Sequence, residues 1–380
     1  MNIEAVIGAN YGDEGKGMLT EHLCRECAKP VVVLSNGGCQ RGHTVNNYEL
    51  GVKHIFHHFG SGTLLGAPTV FSKTFLLNPI MFIKEHEELV ESGIDAKSWR
   101  APSCVLQLPS DMYVNQQLEQ HRAKSGSQHG SCGWGIWETK VRNAEHKKLL
   151  FEEFAAMSCE DKLKTLDEAL DWQLESRLKD ISIDEELLKT VRSRGFKEHF
   201  INDFEAMRRL CPAIESDRIV DFASSLNFET VVVENAQGLL LDKKYAPKDS
   251  NGRTDIHTTP SQTGLEGALE ALGDRFSANE IATNYVSRSY LTRHGNGPFP
   301  EYDPSMKFSD STNVYNDYQG TMRFGRLNVE ELLERVKADS AGSKKVNIFA
   351  THMNEIDNCE LKKISTMVSY EDDSRKFKQI

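Results

Sequence analysis

The run Gly8-Ala-Asn-Tyr-Gly12-Asp13-Glu14-Gly15-Lys16-Gly17 constrains this chain more than any other stretch. An apolar run, IEAVIG at 3–8, precedes it; a helical pattern over 18–28 and a second apolar run, VVVL at 31–34, follow. Strand, glycine-rich loop, helix and strand in that order open a βαβ unit on a parallel sheet. Closely spaced glycines at the carboxyl end of a strand let backbone N–H groups converge on phosphate oxygens, and Lys16 adds a point charge. The loop is P-loop-like but not a Walker A loop. Asn10 stands at the first glycine position, and Gly17 replaces the Ser or Thr that would hold Mg²⁺.

Two further apolar runs, TVVV at 230–233 and VNIFA at 346–350, also lead directly into polar residues, as buried parallel strands do. Residues 145–220 differ. They are charged, nearly free of Gly and Pro, and carry Leu149, Leu150, Phe154, Leu163, Leu166 and Leu170 at three- and four-residue steps. This predicts a helical layer or insertion. No repeat or linker interrupts the chain. The expectation is one α/β domain over 1–380, a central, mostly parallel sheet flanked by helices, with a polar, loosely held tail after Ser365.

Composition bounds the partners. Lys and Arg number 45 against 56 Asp and Glu, a net charge of −11, which excludes a protein that coats nucleic acid but leaves small anions open. No window approaches the roughly 18 apolar residues of a membrane span, and the N-terminus lacks a secretory pattern. A cytoplasmic protein without membrane or nucleic-acid partners is expected. Of eight cysteines only Cys24 and Cys27 form a C-x-x-C pair, with no second pair at zinc-ribbon spacing, so free structural thiols are expected.

A second loop, Asn36-Gly37-Gly38-Cys39-Gln40-Arg41-Gly42-His43-Thr44, follows VVVL and sets a histidine at a strand end, a position suited to acid–base work. GDEGKG, then GG-x-x-x-GHT, then Ala236-Gln237-Gly238-Leu239-Leu240-Leu241-Asp242, then Thr292-Arg293-His294-Gly295-Asn296-Gly297-Pro298-Phe299-Pro300 together resemble the adenylosuccinate synthetase family, in that family's order. The resemblance implies a C–N-forming ligase that takes IMP, L-aspartate and a nucleoside triphosphate with Mg²⁺. It implies Asp13 as the base at purine N1, His43 as the acid beside the transferring phosphoryl group, Lys16 as a neutralising cation and Gln237 near O6. Gly12, Glu14, Gly15, Lys16, Gly17, Gly42 and Thr44 would hold the triphosphate, with Asp13 and the Gly42 carbonyl holding Mg²⁺. The monophosphate would meet Asp13, Gln40, Ser131, Cys132 and Gln237. Arg142 is the nearest match to a basic residue that, in a family homodimer, crosses to the partner's nucleotide phosphate.

The chain departs from the pattern in three places. The family's guanine-reading T-K-x-D run is Thr351-His352-Met353-Asn354, and an Asn amide suits adenine's acceptor and donor better than guanine's two donors. ATP or dATP is therefore expected as phosphoryl donor, with GTP as the alternative. The arginine-rich loop for aspartate is thinned to Thr321, Arg323 and Arg326. Cys132 stands where a Thr hydroxyl is expected, and Gln40 where the family has Asn. IMP is the expected acceptor. The alternative is dGMP, used by phage-type relatives that make 2-aminoadenine DNA, for which a carboxylate at Asp13 either crowds the C2 substituent or accepts from its amino group. From other classes stand a catalytically silent nucleotide sensor and a P-loop kinase or GTPase. The first leaves the acid and base without purpose; the second lacks its GK[ST].

Overall fold

The strands are built from β-branched, buried runs such as VVVL and TVVV at the centre of the sheet, and from shorter or half-exposed segments elsewhere. These are β1 (Asn2–Gly8), β2 (Pro30–Leu34), β3 (His43–Asn47), β4 (Val52–Phe56), β5 (Thr69–Phe71), β6 (Leu76–Leu77), β7 (Ser98–Arg100), β8 (Val105–Leu106), β9 (Thr230–Glu234), β10 (Ala282–Arg288), β11 (Leu291–Arg293), β12 (Arg323–Gly325), β13 (Lys345–Thr351), β14 (Val368–Tyr370) and β15 (Phe377–Gln379). The computed structural model describes residues 1–124, 126, 129–249, 251–253, 257–273, 276–308, 315, 317–356, 358–363, 368–370 and 377–379. Most of the tail after Ser365, expected to be loosely held, lies outside them.

The main sheet runs β15-β14-β13-β10-β1-β9-β2-β5-β7. Its core, β13 through β7, is parallel throughout; β14 is also parallel, and β15 is antiparallel at the edge. The α/β class expected from the apolar runs is the one observed. Successive side chains alternate between two cores. Val6, Val32, Leu34, Val232 and Phe349 enter one cluster, Ala5, Ile7, Val31, Val33, Val231 and Ile348 the other.

The helices are α1 (Lys16–Glu26), α2 (Pro79–Glu91), α3 (Pro109–Lys124), α4 (Ile136–Glu145), α5 (Phe151–Ala155), α6 (Cys159–Arg177), α7 (Glu185–Arg192), α8 (Arg194–Leu210), α9 (Ile219–Ser225), α10 (Leu265–Leu272), α11 (Val329–Asp339) and α12 (Cys359–Lys362). Ser158, Asp184 and Ser193 cap α6, α7 and α8 by accepting from first-turn amides, which fixes where each begins. Leu149, Phe154, Leu163 and Leu166 pack in the larger core, while Leu170 joins a smaller cluster with Tyr113 and Leu188. Among the described residues no helix is long and apolar enough to cross a membrane.

Strand β10 (ATNYVSR) is fully buried between β1 and β13, yet Thr283, Asn284, Ser287 and Arg288 are polar and Tyr285 carries a hydroxyl. Asn284 is satisfied from the neighbouring strands and Tyr285 from α11. Asn284 donates to Glu4 Oε2 at 2.8 Å and accepts from Asn347 Nδ2 at 2.8 Å, and Tyr285 donates to Asp339 Oδ2 at 2.7 Å. Replacing Asn284 by Ala orphans a half-buried carboxylate on β1 and a buried amide on β13 and is expected to cost about 1–3 kcal/mol in urea unfolding. A loss under about 0.5 kcal/mol, the level of an unremarkable surface change, would contradict this.

Candidate active site

Strands β1, β2, β9, β10 and β13 all end on the same side of the sheet, where open α/β folds place their ligands. The first loop is clamped from two of these ends, those of β10 and β13, and from β11. Thr292 Oγ1 donates to the Gly12 carbonyl at 3.1 Å, Arg288 Nε to that of Asp13, and Thr351 Oγ1 to that of Glu14 at 2.7 Å. Asn10 ties the loop to Ser287 and Arg335, which explains a side chain where a Walker loop has glycine. Glu14 is turned beneath the loop. Its Oε1 accepts from the amides of Asn10 (2.9 Å) and Gly12 (2.8 Å), and its Oε2 lies 3.1 Å from Lys16 Nζ. Glu14 thus braces the loop and its lysine and does not line the cleft, contrary to its expected place at the triphosphate.

His43 opens the hairpin β3–β4, with Nδ1 2.6 Å from Glu234 Oε1. Glu234 is the last residue of β9 and is fully buried. It also accepts from the Ser61 amide at 3.0 Å and the Ser61 hydroxyl, and Arg41 Nη2 stands 3.3 Å away. Burial alone would raise the Glu234 pKa, but Arg41, His43 and Ser61 overcome it and hold it near about 2. Burial, then Arg41, brings His43 down to about 4 against the opposing pull of Glu234. At neutral pH a neutral imidazole therefore donates its Nδ1 proton to a carboxylate. A Cβ on Gly17 would lie 3.0 Å from His43 Cβ and 3.1 Å from Ser61 Oγ, so the glycine replacing the Walker Ser or Thr makes room for this histidine. Glu234 and Ser61 were not foreseen from sequence; the acid ending TVVVE was the available signal.

A cleft of about 960 Å³ opens over these groups. Of the expected residues, Gly12, Asp13, Gly15, Lys16, Gly17, Gln40, Gly42, His43, Thr44, Ser131, Cys132, Gln237 and Asn354 all line it. Asp13 and Gln237 adopt left-handed backbone conformations, with φ of 60° and 66°, strain of the kind that folds retain at functional sites. His294, which fills the variable position of the TR-x-G segment, sets Nε2 3.5 Å from Asp13 Oδ2.

Besides Glu14, four expected residues lie elsewhere. Arg142 is almost fully buried and forks onto Asp111, both bonds 2.9 Å, with a further bond to the Leu106 carbonyl. It is a strut between α3 and α4 and is not exposed to reach another subunit. Arg326 pairs with Asp303 at 2.9 Å beside a separate shallow hollow. Arg323 spends Nη2 on the carbonyls of Gly295 and Gly297, at 2.6 and 2.7 Å, and neither it nor the exposed Thr321 lines the cleft. The arginines that do line it include Arg288 and Arg293.

Among the described residues no group of three His, Cys, Asp or Glu forms a metal cage. One carboxylate and one carbonyl, Asp13 and Gly42, are hard oxygen donors on the cleft wall, and they fit a Mg²⁺ that takes its other ligands from phosphate and water. All eight cysteines are free, with Cys24 packed in the core.

The family model for adenylosuccinate synthetase matches residues 5–375. The adenylosuccinate synthetase of Thermodesulfovibrio yellowstonii is 28% identical over 306 residues, covering 79% of this chain and 65% of its own length. That of Candida glabrata is 30% identical over 314 residues, covering 78% and 66%. The chain thus spans just under two thirds of these curated relatives. In fold it is similar to a fully ligated adenylosuccinate synthetase from Plasmodium falciparum, with TM-score 0.67, 21% identity, and coverage of 92% of this chain and 77% of that one. It is also similar to the cyanophage S-2L succinoaminodeoxyadenylate synthetase bound to dGMP and dATP, with TM-score 0.57, 13% identity, and coverage of 92% and 84%. Match and motifs span the same length, and the chain belongs to the adenylosuccinate synthetase family.

Proposed function

We propose that this chain, acting as one continuous domain in a cytoplasmic homodimer, joins L-aspartate to C6 of IMP at the expense of ATP or dATP. The observation that carries the reading is the convergence of Asp13, Lys16, His43 and Gln237 on one cleft, with His43 backed by a buried, ionised Glu234.

The chemistry needs each of them. Oxygen is a poor leaving group from C6 of a 6-oxopurine. Asp13 takes the N1 proton, which makes O6 nucleophilic; O6 attacks the γ-phosphorus and the nucleoside diphosphate departs. The aspartate amine then attacks C6, and the 6-oxygen leaves with the phosphate. Gln237 orients the base, and Lys16 balances charge on the transferring oxygens, the main contribution a protein makes to phosphoryl transfer. Mg²⁺, held by the Asp13 carboxylate and Gly42 carbonyl, would neutralise phosphate charge. Because Arg142 is internal, a basic residue reaching across a dimer would have to come from elsewhere.

His43 is neutral in the unliganded cleft because of burial, Arg41 and Lys16. A polyphosphate reverses that balance: its negative charge favours the imidazolium, and Glu234 keeps the Nδ1 proton. The incoming proton then sits on Nε2, ready for the departing diphosphate. Binding a non-hydrolysable ATP analogue with IMP at pH 7 should therefore take up roughly one proton more than in Glu234→Gln, read by calorimetry in buffers of different ionisation heat. Equal uptake in the two proteins would contradict the assignment.

IMP, dIMP, GMP and dGMP crossed with ATP, dATP and GTP, each with aspartate and Mg²⁺, test the function by phosphate release. Turnover is expected with IMP and an adenine donor. A second reading, dGMP as acceptor, draws on the fold likeness to the cyanophage enzyme and on Asn354 in place of the guanine-reading Asp. Tight nucleotide binding without release in any pairing would mean a sensor. Asn354 is exposed on the cleft wall, and Asn354→Asp should shift the GTP/ATP ratio of kcat/KM about tenfold or more toward GTP, the scale of a base-edge contact. An unchanged ratio would contradict its role in donor choice.

A further inference from the structure

Arg293 is 3% exposed, and it lies on the cleft that holds Asp13, Lys16 and His43. Its Nη2 donates to the His257 carbonyl at 3.2 Å, and its guanidinium carbon stands 4.5 Å from the centre of the Tyr11 ring. Its Nε and Nη1 have no acceptor in hydrogen-bonding geometry among the described residues, and the neighbouring Tyr11 hydroxyl is the group that favours its charge. A buried guanidinium with idle donors is costly, and such groups in native proteins are normally answered by a carboxylate, phosphate or water. Burial lowers its pKa to about 10, with Tyr11 and Glu301 opposing, so it is still cationic at neutral pH.

The surroundings keep that cation in place. Thr292 before it is bonded to the Gly12 carbonyl, and His294 after it faces Asp13, so the backbone of Arg293 is fixed relative to the loop. Arg323 lies opposite Arg293 in the β11–β12 ladder and binds the carbonyls of Gly295 and Gly297, which shapes the turn beside the guanidinium. A Cβ on Gly297 would fall 2.0 Å from Arg293 Nη2, so this glycine provides the space the side chain occupies. Arg326, the other arginine of the thinned loop, is engaged with Asp303 away from the cleft.

We propose that Arg293 binds one carboxylate of the amino-acid substrate, the duty that sequence assigns to Arg323 and Arg326. With one hydrogen of Nη2 given to the His257 carbonyl, the other Nη2 hydrogen and the unpartnered nitrogen beside it present the donor fork that matches a carboxylate. The assignment rests on the ligase reading above.

The test compares L-aspartate with its two monoamides, L-asparagine and L-isoasparagine, in wild type, Arg293→Met, Arg293→Lys, Gly297→Ala and Arg326→Met. Arg293→Met should lower kcat/KM for aspartate about 100-fold, as expected for losing a bidentate charge-assisted pair, while KM for IMP and ATP stays within about twofold. Discrimination against one of the two amides should collapse and that against the other persist. Gly297→Ala, which displaces the guanidinium without removing its charge, should reproduce the loss; Arg293→Lys should be intermediate, and Arg326→Met unchanged. If Arg293→Met does not fold, Gly297→Ala and Arg293→Lys decide the question by the same ratios. Both amide ratios unchanged in folded variants would overturn the assignment while leaving the ligase intact. A wild type inactive with every acceptor and donor would overturn the ligase reading, and this assignment with it.

Discussion

The site depends on one buried carboxylate. Glu234 ends the strand between β1 and β2, with Arg41 and His43 from the second loop and Ser61 beyond the hairpin all directed onto its two oxygens. Such a charge is tolerable only when fully answered, and removing one partner of a buried pair typically costs about 3–5 kcal/mol. Every segment that meets at Glu234 is therefore held in register with the others. The same contact sets the hydrogen-bonding state of His43, so the group that organises the loops also prepares the acid.

A second economy lies in the first loop. A phosphate-binding turn presents amides, and two of those here, Asn10 and Gly12, are occupied by the Glu14 carboxylate. Glu14 also pairs with Lys16, whose side chain is buried at the wall of the cleft. The loop is a rigid cradle before any nucleotide arrives, and preorganised charge is what phosphoryl transfer draws on. The strained backbones of Asp13 and Gln237 face each other's loops across the β1 and β9 ends, where the sheet holds both in place.

Four strands of the sheet and most of the cleft were legible in the sequence, because apolar runs ending in glycine-rich loops have few other meanings. Strand β10 was not. Thr283, Asn284 and Ser287 are polar, and their burial is possible because Glu4 on β1, Lys345 and Asn347 on β13, and Asn10 in the first loop answer them. Glu234 was hidden for the converse reason: an acid at the end of TVVVE reads as the first exposed residue after a strand. Arg142, Arg323 and Arg326 were misplaced because a sequence shows that a guanidinium is present but not which acceptor claims it. Asp111, two backbone carbonyls and Asp303 engage these three, and although Arg323 Nε is also unpartnered, Arg293 is the one with two such donors that lines the cleft.

The central claim is that the cleft activates a purine oxygen as a phosphate ester. The most direct measurement supplies IMP labelled with ¹⁸O at C6, with L-aspartate, ATP and Mg²⁺, and follows the label by mass spectrometry. The expected result is that the ¹⁸O leaves in the inorganic phosphate, in step with formation of the C–N bond. Label released into water, or retained in the purine while unlabelled phosphate accumulates, would contradict it.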